Sequence, residues 1–171
     1  MGRTTTAAHP KVPLGQRRPR AVLMLYFLQL FLGLGAIGGG LALIIDPSGE
    51  MMGMPFSLLK RTPFSDFLFP GVILLVVFGL FPLTVVYGMI RRPEWKLADR
   101  VNPFKELHSC WALSLYIGFG QIIWIMVQTY MVNGVGIIQV VYMSLGLLIQ
   151  IFTLLPAVQR YFLLDGVKER R

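Results

Sequence analysis

Few side chains in this sequence could do chemistry, and their spacing decides which kind. Glu106, His108 and Cys110 crowd one stretch. An acid, an imidazole and a thiol together would suit nucleophilic catalysis by a base-activated cysteine. Positions 108 and 110 point to different faces of a helix, however, so they form no ready dyad. Met51, Met52 and Met54 offer three thioethers, a set that suits Cu(I). Neither histidine nor cysteine stands beside them, and methionine also fills irregular apolar gaps easily. Cys110 is the single cysteine, and His9 and His108 are the two histidines. That excludes an intramolecular disulfide and a CxxC redox pair, and argues against a multi-histidine metal centre. The sequence therefore gives no reason to expect catalysis, a metal or a cofactor.

The remaining candidates are amides. Trp111, Ser114, Gly118, Gln121, Ile125 and Gln128 follow helical three-four spacing and form one stripe. Gln139, Tyr142, Gly146, Gln150 and Thr153 form a second. The two stretches are separated by the turn signal Asn133-Gly134, so a hairpin would pair them at equal depth. The expected partners are Gln128 with Gln139, Ile125 with Tyr142, Gln121 with Gly146, Gly118 with Gln150, and Ser114 with Thr153. Amides in hydrocarbon must find partners, though each such bond contributes only about 0.6 kcal/mol on average. The stripes read either as interhelical adhesive or as a polar track for a small solute or a lipid headgroup.

The elements that position these residues follow from composition. The chain of 171 residues is 55% hydrophobic and 14% charged, where a soluble domain carries about 25% charge. Mean hydropathy is +0.65. Four segments, about 22–45, 70–90, 111–132 and 136–155, pass the length test of roughly 20 apolar residues for a membrane span. None contains Asp, Glu, Lys, Arg or His. The absence of intramembrane charge argues against a proton- or sodium-coupled transporter and a voltage sensor. The run that begins at residue 22 is too long for a cleaved signal peptide and reads as a retained anchor.

The formal charge of +8 has a distribution that sets orientation. Positive residues gather in the arm 1–21, in the loop carrying Arg91, Arg92, Lys96, Arg100 and Lys105, and in the tail 163–171 with Arg160 beside it. The first connecting loop has Lys60 and Arg61, and the second has none. By the positive-inside rule both termini are cytoplasmic. The basic excess then serves topology and anionic-lipid contact, not nucleic acid.

Within the spans, Gly35 and Gly39 stand in GxxxG spacing inside "GLGAIGGG". They read as a packing seam, either within the chain or between copies in a homo-oligomer. Pro82 should kink the second span and free the carbonyl of Phe78, with Gly79 and Thr84 accommodating the bend. The loop 46–69 is too apolar to extend into water. Asp46-Pro47-Ser48-Gly49 suits a type I turn, Pro55 opens a short helical piece, and Phe64, Phe67 and Phe69 anchor near the headgroups. It should fold back as a cap over the helix ends, a place where function often resides. Asn102 and Pro103 are expected to cap the entry to the third span.

The stretch "GGGLALIIDPSGEMMGMPFSLLKRTPFSDFLFPGVIL", with the later "GFGQIIWIMVQ" and "LLPAVQRYF", resembles an uncharacterised family of small four-span bacterial integral membrane proteins. The resemblance covers roughly residues 22–162. It implies an inner-membrane location and four helices, and brings no activity with it. The expectation is an all-α, four-transmembrane-helix antiparallel bundle with an extracytoplasmic capping loop between helices 1 and 2. Its expected role is non-catalytic, binding membrane lipids, a partner helix or itself. The alternative is an oligomeric small-solute channel or transporter that uses the glutamine-rich faces.

Overall fold

A backbone N–H or C=O left unpaired in hydrocarbon costs several kcal/mol, so an uncharged apolar run has little choice but to become helix. The structure, a computed structural model, describes residues 18–93 and 95–164, and no strand occurs among them. Most of the basic arm and tail lie outside the described residues. Four helices are long and apolar enough to cross a membrane. They are α1 (Arg20–Ile45), α2 (Leu68–Arg91), α4 (Ser109–Val132) and α5 (Ile137–Leu154). Two short helices accompany them, α3 (Lys96–Val101) and α6 (Pro156–Phe162). Two 3₁₀ turns, Glu50–Met52 and Phe56–Leu59, lie between α1 and α2. Large side chains such as Phe27, Phe31, Leu34, Ile123, Met126 and Ile151 point outward. An apolar surface of that kind needs hydrocarbon around it.

Helix α2 is α-helical over Leu68–Ile73, widens to a π-helix over Leu74–Leu80, and returns to α-helix over Phe81–Arg91. The cause is Pro82, which brings a bulky ring and no N–H. The wider turn lies just before it, where the Phe81 N–H reaches back to the Val76 carbonyl. Thr84 Oγ1 donates to the Leu80 carbonyl at 2.8 Å. The Thr84 hydroxyl thus adds a second donor in the turn around Pro82.

Glycines let α1 and α2 approach backbone to backbone. A Cβ on Gly40 would lie 2.7 Å from Leu75 N and 2.8 Å from Gly71 O. One on Gly33 would lie 3.0 Å from Gly79 O, and one on Gly79 would lie 2.8 Å from Ile37 Cγ1. The tightest approach therefore uses Gly33 and Gly40, which share one helix face with buried Ala36. Gly35 and Gly39 sit elsewhere: Gly35 faces the Tyr142 hydroxyl on α5, and a Cβ on Gly39 would meet Leu74 Cδ2 at 3.2 Å.

The connections gather at two ends. Arg61 Nη1 donates to Asn133 Oδ1 at 2.9 Å, joining the α1–α2 connection to the α4–α5 turn. At the other end His108 N donates to Phe162 O at 2.9 Å and Leu164 N to Glu106 O at 3.0 Å. There Arg92 Nη2 donates to Tyr161 O at 3.2 Å, and its guanidinium stacks 4.4 Å from the Tyr161 ring centre.

Enlarging the tight seam should be costly and enlarging the open positions should not. Gly40→Val should destabilise by about 1–3 kcal/mol, the range for overpacking a close contact. Gly38→Ala, where a Cβ meets nothing within 4 Å, should be silent. Thermal unfolding of both variants in nanodiscs checks this, and equal melting temperatures would refute the α1–α2 contact.

Candidate functional site

Three places gather polar or chemically capable side chains. The first is a buried seam. Gln29 of α1 is 0% exposed, and its Nε2 donates to Ser114 Oγ on α4. Ser114 Oγ lies 3.0 Å from Thr153 Oγ1 on α5, which sits 2.7 Å from the Ile149 carbonyl. The single Thr153 proton is used on that carbonyl, so Ser114 must donate to Thr153. Trp111 Nε1 donates to the Thr153 carbonyl at 2.8 Å. Three helices are joined by one directional chain of hydrogen bonds.

Further along α4 and α5 the stripes continue in contact. A Cβ on Gly118 would lie 2.6 Å from Gln150 Cγ, and one on Gly146 would lie 3.2 Å from Gln121 Cγ. Rising numbers on α4 thus meet falling numbers on α5. Gln29 Oε1, Gln121 Oε1 and Gln150 Nε2 are buried without a partner. Toward the turn the stripes separate. Gln139 Oε1 accepts from its own Gly136 N–H at 3.0 Å and closes the start of α5. Gln128 instead lines a cavity with Trp124. Tyr142 reaches across to Gly35. Sequence reading missed Gln29; the available signal was a lone amide in the otherwise apolar α1.

That cavity is the second place. It lies beneath the α1–α2 connection, with a volume of about 160 Å³. Leu43, Leu74, Trp124 and Val127 form walls, and Leu58, Phe64 and Phe67 cover it. Its polar lining consists of Thr62 and Gln128. The connection is built to stay folded. Asp46 accepts from the Ser48 hydroxyl and from Met51 N at 2.7 Å. Those bonds, the Ser48 hydroxyl foremost, hold its carboxyl below the usual range. Phe67 N donates to Pro47 O at 3.0 Å and Met54 N to Gly49 O at 2.9 Å. Gly49 has φ 78, and a Cβ there would strike Met54 O and Phe67, so glycine is required. Pro55 precedes the second 3₁₀ turn. Thr62 Oγ1 donates to Leu59 O at 3.0 Å and accepts from Phe64 N at 3.1 Å, leaving Gln128 as the polar group turned to no partner within the loop. Met54 joins the lining, while Met51 and Met52 are exposed.

The third place is the start of α4. His108 Nδ1 accepts from Cys110 N at 3.2 Å and caps the helix. The imidazole is thus committed to backbone, and the Cys110 thiol packs on Gly88. Asn102 does not cap α4. Its Nδ2 donates to Leu107 O and its Oδ1 accepts from Phe104 N, both at 2.9 Å, closing the turn before the helix. Burial first, then the Arg92 charge, lowers the His108 pKa from its ordinary 6.5; Asp99 acts in the opposite direction.

Compared with protein-family models, curated proteins and solved structures, the chain matches none.

Removing one partner of the Gln29–Ser114 bond should cost more than removing both. Ser114→Ala strands the Gln29 amide and should destabilise by about 1–3 kcal/mol. Gln29→Leu combined with Ser114→Ala should recover part of that loss, as a double-mutant cycle of melting temperatures would record. For His108, the unfolded chain takes up a proton near pH 6.5 while the folded chain resists it. Stability should be level above about pH 7 and fall as pH drops through 6.5. His108→Asn keeps an acceptor at the cap and should flatten that slope in unfolding measured from pH 8 to 5.5.

Proposed function

We propose that this protein is a non-catalytic, four-span antiparallel bundle of a bacterial inner membrane that holds a lipid under its capping loop. Both termini face the cytoplasm, and the loop between α1 and α2 lies on the extracytoplasmic side. What carries the reading is the cavity beneath that loop, apolar on nearly every wall. Its volume, about 160 Å³, is well under the ~300 Å³ or more of pockets that enclose whole drug-sized ligands. It suits a segment of an acyl or similar chain whose remainder lies in the bilayer. The resemblance to small four-span bacterial membrane proteins agrees with the location.

The competing reading is an oligomeric solute channel lined by the glutamines. Against it, Gln121 and Gln150 pack into the α4–α5 contact, Gln139 closes its own helix, and Gln128 belongs to the cavity. The amides that a track would need are divided among three jobs. The buried seam fits adhesive better, holding α1, α4 and α5 in register.

Native mass spectrometry after release from lipid nanodiscs tests the choice. One lipid should remain on the protein, and Val127→Phe, which fills the cavity, should lose it. A bare wild-type protein, or an adduct unchanged in the filled variant, would overturn the reading. Solute flux into proteoliposomes that vanishes with Gln121→Leu while the fold survives would establish the channel instead.

A further inference from the structure

The connection between α3 and α4 and the short helix α6 border a further cavity, at the end of the bundle away from the capping loop. Its volume is about 500 Å³, within the ~300–1,000 Å³ of pockets that hold small organic ligands. Residues 103–107 form one wall, and Pro156, Gln159, Arg160 and Leu163 form the other. Backbone bonds pin the two walls together. His108 N donates to Phe162 O, Leu164 N donates to Glu106 O, and Leu107 pairs with Leu163 in an isolated antiparallel bridge. Asn102 closes the turn that carries the first wall, and Phe104 packs edge-on against Trp111 at 5.0 Å between ring centres. The cavity is therefore shaped before a ligand enters, which lowers the cost of binding.

Unlike the cavity under the capping loop, this one has ionic residues in its own lining. Lys105 stands on the first wall and Arg160 on the second. Lys105 Nζ donates to Asp99 O at 2.7 Å, a neutral carbonyl, so that bond leaves the ammonium charge uncompensated. One carboxylate, Glu106, lines the same space. Gln159 is turned to backbone, its Nε2 donating to Leu154 O at 3.0 Å. The surroundings are positive as well. Residues 91–107 hold five cations against three acids, and residues 156–164 hold Arg160 and no acid. Two cations from separate walls suit the oxygens of one phosphate, and a guanidinium matches such oxygens two at a time. The carboxylate suits an N–H or O–H donor on the same ligand. Lys105, Glu106 and Arg160 are all exposed, so a ligand can reach them without the fold opening.

We propose that this cavity binds an organic phosphate carrying an ammonium or hydroxyl donor, the phosphate on Lys105 and Arg160 and the donor on Glu106. Ethanolamine phosphate has that pattern; choline phosphate has the quaternary cation and no N–H. Two sources share the chemistry. One is a phospholipid headgroup, since both walls lie just outside the spanning helices. The other is a soluble phosphate ester. The site does not depend on the lipid held under the capping loop.

Thermal unfolding of the full chain in phosphatidylcholine nanodiscs tests this, because that headgroup has a phosphate and no N–H or O–H. The probes are phosphoethanolamine, phosphocholine, and phosphatidylethanolamine doped into the disc. Phosphoethanolamine should raise the melting temperature saturably, at about a tenfold lower concentration than phosphocholine, as one charge-assisted hydrogen bond requires. A rise with phosphatidylethanolamine alone would support the site and make a lipid headgroup its source; a rise with the soluble ester alone would make that the source. Arg160→Gln should raise the half-saturating concentration about fivefold, and Arg160→Lys should restore most of it. Lys60→Gln, the same loss of charge outside the cavity, should change nothing. Glu106→Ala should erase the preference for phosphoethanolamine. No rise with any probe would overturn the proposal, as would a response that Arg160→Gln and Lys105→Gln together leave intact. Equal half-saturation by the two soluble esters would overturn the donor assignment to Glu106.

Discussion

In a bilayer the cost of an unpaired polar group outweighs almost any single packing gain, and that constraint shapes the ends and irregular turns of these helices. Before Pro82, which has no N–H, the turn widens so that the Phe81 N–H reaches the Val76 carbonyl. Where α4 begins, the His108 imidazole accepts a backbone N–H. Where α1 ends, the Asp46 carboxylate gathers the donors of the following turn. In the middle of the helices Gln29 Nε2, Ser114 Oγ and Thr153 Oγ1 pair with one another, while Gln29 Oε1 has no partner. With hydrophobic driving force absent between helices in lipid, such bonds and the close glycine contacts carry the specificity of association.

Much of this was legible beforehand because membrane helices write their length and charge directly into sequence. The spans expected at 22–45, 70–90, 111–132 and 136–155 correspond to helices within a few residues. Ser114 meets Thr153, Gly118 meets Gln150, and Gly146 meets Gln121, as equal depth in a hairpin requires. Fidelity fades toward Asn133, where Gln139 turns back to Gly136 N instead of reaching Gln128. A helix start has unsatisfied N–H groups of its own, and a local partner is available at lower entropic cost than a distant one. Spacing along one helix does not record that competition.

The glycine seam was harder to place for a different reason. "GLGAIGGG" offers several pairs four apart, and a single-helix pattern does not say which face another helix will take. The choice is made by α2: Gly71 and Gly79 are two turns apart, and they match Gly40 and Gly33 rather than Gly39 and Gly35. The same limit hid Gln29, because its role depends on Ser114, 85 positions away. Loop residues were visible as types, while the enclosed space they create with α4 was not.

These contacts divide the molecule by depth. Toward the start of α1 and α4, Gln29, Ser114 and Thr153 tie three helices together. Farther along, Phe78 in the π-helical stretch packs against Trp124 at 5.7 Å between ring centres. Beyond that pair lies the cavity, between Leu43, Leu74 and Trp124 and under the connection. Trp124 thus belongs both to this aromatic pair and to the wall of the cavity. Glycine packing holds α1 against α2 across both halves, so the space opens between that pair and α4, not within it. The opening costs little when hydrocarbon fills it, since lipid and side chain are chemically alike there.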